Sequence, residues 1–235
     1  RRALKESGLW RAACATGGMS YLFPKLRPRG VQGLVDQWPL RPGLTLIEAP
    51  TGSGKTEAAL AYASRLLAAS LADGVIFALP TQATANAMLD RLEAVAPCLF
   101  EGGANIVLAH GRARYNAEFM RLQGRPGPAA QEGEEALAQC SRWLASSRKK
   151  VFLGQIGVCT IDQVLLSVLP IKHNFVRSFG LHKSILIVDE VHAYDSYMNG
   201  LLDEVLRRQR EAGGCVVLLS ATLNSARRGA ILQNW

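Results

Sequence analysis

Long apolar runs are missing from this sequence. The longest, such as Ile185-Leu186-Ile187-Val188, fall far short of the ~18–20 residues that a membrane-spanning helix needs, so no membrane partner is expected. The chain opens on Arg1 rather than Met, and Arg1-Arg2-Ala3-Leu4-Lys5-Glu6-Ser7 lacks the apolar stretch of a secretory leader. The expectation is a leaderless chain that is part of a longer polypeptide. Paired cysteines are missing as well: Cys14, Cys98, Cys140, Cys159 and Cys215 are odd in number, widely scattered and form no CxxC. That argues against zinc or dithiol-redox chemistry and fits a reducing, cytoplasmic setting. No internal repeat is present.

What remains is ordinary globular composition, with 49% hydrophobic and 20% charged residues over 235 positions. At ~150 residues per domain, one large α/β unit is the simplest organisation, and its core needs no metal or disulfide staple. The net charge of +8 is unevenly spread. Residues 1–29 carry Arg1, Arg2, Lys5, Arg11, Lys25, Arg27 and Arg29 against Glu6 alone, and so hold most of the excess. This basic N-terminal segment either touches phosphate or is merely solvated, and charge does not decide between the two.

Short apolar runs alternate with helical patterns, the signature of βαβ units and a mainly parallel sheet with helices on both faces. The strands expected are Leu44–Glu48, Val75–Leu79, Ile106–Ala109, Val151–Gly154, Ser184–Val188 and Cys215–Leu219. Their Val/Ile/Leu content is continuous rather than alternating, as in strands covered on both sides. Helices are expected over Lys55–Ser70, Thr84–Ala94, around Glu134–Ser147, over Thr160–Val168 and over Ser196–Arg210, the last with Tyr197, Leu201, Leu202 and Val205 on its apolar face. Gln123–Pro128 reads as a surface loop.

The most informative stretch is Ala49-Pro50-Thr51-Gly52-Ser53-Gly54-Lys55-Thr56, set between an apolar strand and a helix. Strand, glycine loop and helix are the context a phosphate loop requires. Gly52 and Gly54 let the backbone curl so that successive N–H groups face phosphate oxygens, with the helix N-terminus adding to their field. Lys55 then neutralises the β/γ-phosphates of a nucleotide, and the Thr56 hydroxyl ligates Mg²⁺. The pattern opens on Ala49 where Gly is usual, so this is a variant form.

A carboxylate pair, Asp189-Glu190, emerges from the end of the apolar strand Ser184–Val188. In open α/β sheets ligands gather at the carboxyl ends of strands, where Lys55 is also expected. Asp189 suits a Mg²⁺ role, and Glu190 suits orienting and polarising the water that attacks the γ-phosphate. An isolated pair of this kind reads more simply as a capping Asp and a solvated Glu; the phosphate loop reverses that preference.

Taken together, Ala49–Thr56, Asp189-Glu190-Val191-His192 and Ser220-Ala221-Thr222 resemble motifs I, II and III of superfamily 2 helicases, in the order of one RecA-like lobe. The longer phrases Ile47–Ala58 and Val188–Asp195 resemble more narrowly the CRISPR-associated helicase-nuclease of type I systems. The resemblance implies a first RecA-like lobe over residues 30–235, with a nuclease domain and a second RecA-like lobe lying outside the chain. It implies adenine recognition by Gln32, and ATP contacts from Thr51, Gly52, Ser53, Gly54, Lys55 and Thr56. Further implications are nucleic-acid backbone contacts by Thr81, Gln82 and Thr160, and coupling through His192, Ser220 and Thr222. Thr160 with Gln163 also spells a Thr-x-x-Gln capping box, a complete structural explanation by itself. His110-Gly111-Arg112 is either a further loop of the site or a solvated turn.

None of His110, His173, His182 or His192 is followed by Asp, so the metal-binding His-Asp motif of the family's nuclease domain is not in these residues. The function implied is ATP-driven translocation on single-stranded DNA under a crRNA-guided surveillance complex. Three other readings stay open: a superfamily 2 motor on RNA or duplex DNA, a catalytically silent nucleotide- and partner-binding module, and a small-molecule kinase on the same phosphate loop.

Overall fold

The computed structural model describes residues 12–101, 104–110 and 148–235. Six strands form one sheet: β1 (Gly43–Glu48), β2 (Gly74–Leu79), β3 (Ile106–Ala109), β4 (Ile156–Thr160), β5 (Ser184–Val188) and β6 (Cys215–Ser220). Their order is β1-β6-β5-β2-β4-β3, and every adjacent pair is parallel. The helices are α1 (Met19–Leu22), α2 (Lys55–Ala68), α3 (Gln82–Leu99), α4 (Ile161–Leu165), α5 (Asn174–His182), α6 (Ser196–Glu211) and α7 (Ser225–Asn234).

The chain moves from β1 outward to β2 and β3, then steps back through β4, β5 and β6. Right-handed crossovers run in opposite directions along a sheet place their helices on opposite faces. Accordingly α1, α2 and α3 pack together, while α4, α6 and α7 form a separate layer. Strands β2 to β6 are buried throughout and edge strand β1 only in part, matching the continuous apolar runs of the sequence.

Two local expectations are corrected. Val151–Gly154 is no strand: Arg148–Leu153 forms a 3₁₀ turn, and the ladder begins at Ile156. Val151 and Phe152 are buried because this turn lies over the sheet, and glycine makes room for it. A Cβ at Gly157 would meet the Val151 oxygen at 2.9 Å and Ile76 Cδ1 at 2.6 Å, while one at Gly180 would meet the Phe152 oxygen at 2.0 Å. The helix expected over Thr160–Val168 is the five-residue α4, and the Thr160/Gln163 box does not form. Thr160 makes no side-chain cap bond, and Gln163 Nε2 donates to Asp162 Oδ2 instead.

Helix α3 is longer at both ends than expected, because Thr81 and Thr84 cap it reciprocally and Pro97 is accommodated in its last turn. In α6, Leu202 and Val205 are buried as read, but Tyr197 is 70% exposed, so the buried face runs through Leu206 and Gln209 instead. The helix expected around Glu134–Ser147 and the loop Gln123–Pro128 lie outside the described residues, as do Gly111 and Arg112. His110 itself is buried and bonds through Nε2 to Asn86 Oδ1. Among the described residues no helix is long and apolar enough to cross a membrane.

Candidate active site

Parallel strands bring all their carboxyl ends to one edge, and the register decides which residues meet there. Glu48, one residue before the glycine loop, lies opposite Ser220. Leu79, two before Thr81, lies opposite Thr160, and Val188, one before Asp189, lies opposite Ala78 and Leu218. Segments separated by up to 172 positions in sequence thus converge.

The glycine loop takes the curl its sequence requires, with Gly52 at φ 78° and Gly54 at φ 84°, both in the left-handed region. Lys55 starts α2 and is buried, its ammonium held by the carbonyls of Ala49 at 2.5 Å and Pro50 at 3.1 Å. Ser53 Oγ is buried and has no hydrogen-bond partner among the described residues, a hydroxyl in a loop shaped for oxyanions. A cavity of about 270 Å³ opens beside the loop, and Lys55, Thr56, Glu57, Arg91, Asp189 and Glu190 all line it. A hydroxyl, carboxylates and an ammonium around one cavity suit a divalent cation with an oxyanion chain.

Glu190 sits at φ 53°, ψ 42°, a conformation rare for a residue with a Cβ and found where the surroundings hold it. Three bonds hold it here. The Glu190 N–H donates to Asp189 Oδ1 at 2.9 Å, the Tyr194 hydroxyl donates to the Asp189 carbonyl at 2.7 Å, and Asn199 Nδ2 donates to the Tyr194 carbonyl at 2.9 Å. Burial, with the charge of Glu190, pushes the Asp189 carboxyl above its ordinary range, against the pull of the Glu190 N–H, Lys55 and Arg91. Burial likewise pushes the Tyr194 phenol up, keeping it a neutral donor.

His192 connects this wall to β6. Its Nε2 lies 3.1 Å from Glu190 Oε2, its Nδ1 lies 3.1 Å from Ser220 Oγ, and the Ala221 N–H donates to Nδ1 at 3.3 Å. An N–H arriving at Nδ1 requires a lone pair there, which leaves the ring proton on Nε2, aimed at Glu190. With Nδ1 an acceptor, the single proton of the Ser220 hydroxyl goes either to Nδ1 or to the Thr222 carbonyl 3.0 Å away. Glu48 ties the next residue down, accepting from the Leu223 N–H at 3.2 Å and from Arg228 Nη2 at 2.6 Å.

Gln32 is buried against the glycine loop. Its Nε2 donates to the Gly54 carbonyl at 3.3 Å and its Oε1 accepts from the Arg29 N–H at 3.1 Å. The 3₁₀ turn Gly30–Gln37 that carries it is anchored on α2 by Arg65, whose Nη1 donates to the carbonyls of Val35 and Trp38. A wide groove of about 1190 Å³ runs from Gln32 past Phe23, Leu26, Arg27, Val31 and Gly54. Thr81 and Gln82 are exposed at the start of α3, whereas Thr160 is buried at the end of β4.

The structure therefore gathers Thr51 to Thr56 with Asp189 and Glu190, joins His192 to Ser220, and sets Gln32 on the loop. Arg91, Glu57, Tyr194 and Glu48 were missed from sequence. The Arg91–Glu57 pair spans 34 positions and belongs to no local pattern, though the acid directly after Thr56 was visible.

Comparison with known proteins gives one consistent result. The DEAD/DEAH box helicase family matches residues 40–228. The CRISPR-associated endonuclease/helicase Cas3 of Escherichia coli (strain K12) is 57% identical over all 235 residues of this chain, which cover 26% of that protein. The crystal structure of T. fusca Cas3-ADP superposes with a TM-score of 0.84 at 34% identity, over 99% of this chain and 25% of that one. A chain of a CRISPR RNA-guided surveillance complex, pre-nicking, matches at TM-score 0.60 and 31% identity, over 99% of this chain and 21% of that one. The chain thus spans about a quarter of the length of the relatives it matches.

Proposed function

The chain belongs to the DEAD/DEAH box helicase family, and on that premise we propose that it is the ATP-binding first RecA-like lobe, residues 30–235, of a single-stranded-DNA translocase in type I CRISPR interference. The observation that carries this is one cavity shared by Lys55, Thr56, Asp189 and Glu190, linked through His192 to Ser220. A kinase needs the first four; it has no use for the link.

In this reading the loop N–H groups and Lys55 receive the β- and γ-phosphates, Lys55 exchanging the Ala49 and Pro50 carbonyls for phosphate oxygens. Thr56 and Asp189 would hold Mg²⁺, whose charge would offset that building on the transferred phosphoryl group. Glu190, fixed by His192 Nε2–H, orients the attacking water and accepts its proton. Any shift of Glu190 then moves the imidazole against Ser220 and Ala221, carrying the nucleotide state to the strand-end loops. Thr81 and Gln82, on the same sheet edge, contact the sugar-phosphate backbone, which makes movement independent of base sequence. The second lobe, the nuclease domain and docking on a crRNA-guided surveillance complex belong to the remaining length of a polypeptide like the relatives, acting in the cytoplasm.

The test is Mg²⁺-dependent ATP turnover by this chain and by a polypeptide of the relatives' full length, with single-stranded DNA, duplex DNA or RNA added. Stimulation of the longer form by single-stranded DNA, abolished by Lys55→Ala or Glu190→Gln, is expected. Stimulation by RNA or duplex alone reassigns the polymer, and turnover indifferent to all three overturns the motor.

A further inference from the structure

We propose that Arg91 is an additional nucleotide contact that distinguishes triphosphate from diphosphate, exchanging the Glu57 carboxylate for the terminal phosphate. The proposal rests on the cavity's being a nucleotide-phosphate site, as argued above. Arg91 projects from α3 into the same space of about 270 Å³ that Lys55, Thr56, Asp189 and Glu190 line, and its guanidinium pairs with Glu57 on α2. A γ-phosphate lying between Lys55 and Glu190 shares that space with the guanidinium.

The chemistry of the pair favours exchange. The bond to Glu57 is made through Nη2, one nitrogen of a planar fork with five N–H donors, and such a fork matches phosphate oxygens in two-pronged fashion. The Arg91 side chain is 43% exposed and that of Glu57 23%, so the ion pair is partly in water and weak, and a doubly charged phosphate competes well for it. Charge balance points the same way: among the described residues, Glu57, Asp189 and Glu190 face the cavity with Lys55 and Arg91 to offset them. Lys55, once it exchanges the loop carbonyls for the β- and γ-phosphates, is one cation for three phosphate charges or more, and Arg91 is the second cation that lines the cavity. The same helix begins at Thr81 and Gln82, so a shift of Arg91 bears directly on the element proposed to touch nucleic acid.

The experiment titrates this chain, Arg91→Ala and Arg91→Lys with fluorescent ADP and with a non-hydrolysable ATP analogue, both in Mg²⁺. Arg91→Ala should weaken the triphosphate about tenfold, the loss of one charge-assisted contact, while ADP stays within about twofold. Arg91→Lys, which keeps the charge and loses the fork, should fall between. Equal weakening of both nucleotides, or of neither, overturns the proposal while leaving the nucleotide site intact. Failure of the unmodified chain to bind either nucleotide overturns the site itself. Thermal melting checks the fold of each variant, and Arg91→Lys carries the test if Arg91→Ala does not fold.

Discussion

A single carboxylate can hold two distant parts of a chain, and Glu48 does so here. It closes β1 against the segment that follows Ser220-Ala221-Thr222, through the Leu223 N–H and Arg228. The Leu223 N–H and then the Arg228 hydrogen bond hold its carboxyl below the ordinary 4.5. A folded-state value below the unfolded one means stability that is present above pH 4.5 and lost as pH falls through the lowered value. Glu48→Gln, which keeps an acceptor for Leu223 but drops the charge, should melt at a lower temperature than the parent at pH 7. The gap should shrink as pH falls below about 4.5; thermal melts at the two pH values check this, and a gap that does not change with pH rejects it. Residues of this kind resist reading from sequence, because their partners lie some 175 positions away. Lys55, Asp189 and Glu190 were legible for the opposite reason: the loop and strand that place them are contiguous motifs, and register does the rest.

Among the elements, glycine separates what packing requires from what it tolerates. Gly180 in α5 lies against the 3₁₀ turn, where an added Cβ would meet the Phe152 oxygen at 2.0 Å, whereas nothing lies within 4 Å of a Cβ at Gly200 in α6. Gly180→Ala should cost about 1–3 kcal/mol through overpacking against backbone. Gly200→Ala should add about 0.5–1 kcal/mol, since Ala is the better helix former and the unfolded chain loses freedom. Denaturant unfolding of both variants is the measurement, and opposite signs are expected. The 3₁₀ turn over Arg148–Leu153 also explains the misplaced strand. Val151-Phe152-Leu153 has the composition of a buried strand, yet its apolar groups cover the sheet's face rather than joining its ladder, and composition alone does not distinguish the two. The other five strands were visible as apolar runs because the sheet is covered on both faces, whereas β4, Ile156-Gly157-Val158-Cys159-Thr160, is broken by Gly157 and was not.

For the molecule as a whole, one sheet edge carries both ends of the proposed energy conversion. His192 spans them, touching Glu190 on one side and Ser220 and Ala221 on the other. In a polypeptide of the relatives' length, His192→Ala should leave nucleotide affinity within about threefold and remove most of the stimulation of ATP turnover by single-stranded DNA, as expected when two sites share a coupling element. Stimulation that survives in full would remove His192 from the link. At this scale the class of architecture and the location of its edge were legible in the sequence, while the seating of Gln32 on the loop was not, because its partner Gly54 lies in another element; the Thr81–Thr84 cap on α3 is local and was overlooked.

The contact between Gln32 and Gly54 has a consequence for descent. A Cβ at position 54 would fall 1.9 Å from Gln32 Nε2, so a side chain there must displace Gln32 from the loop. A lineage that gained a side chain at 54, even an Asn able to adopt φ 84°, gives up the seat that Gln32 holds on the Gly54 carbonyl. The dependence runs one way: across related sequences a side chain at 54 should come with a changed residue at 32, whereas a change at 32 leaves the glycine free to stay.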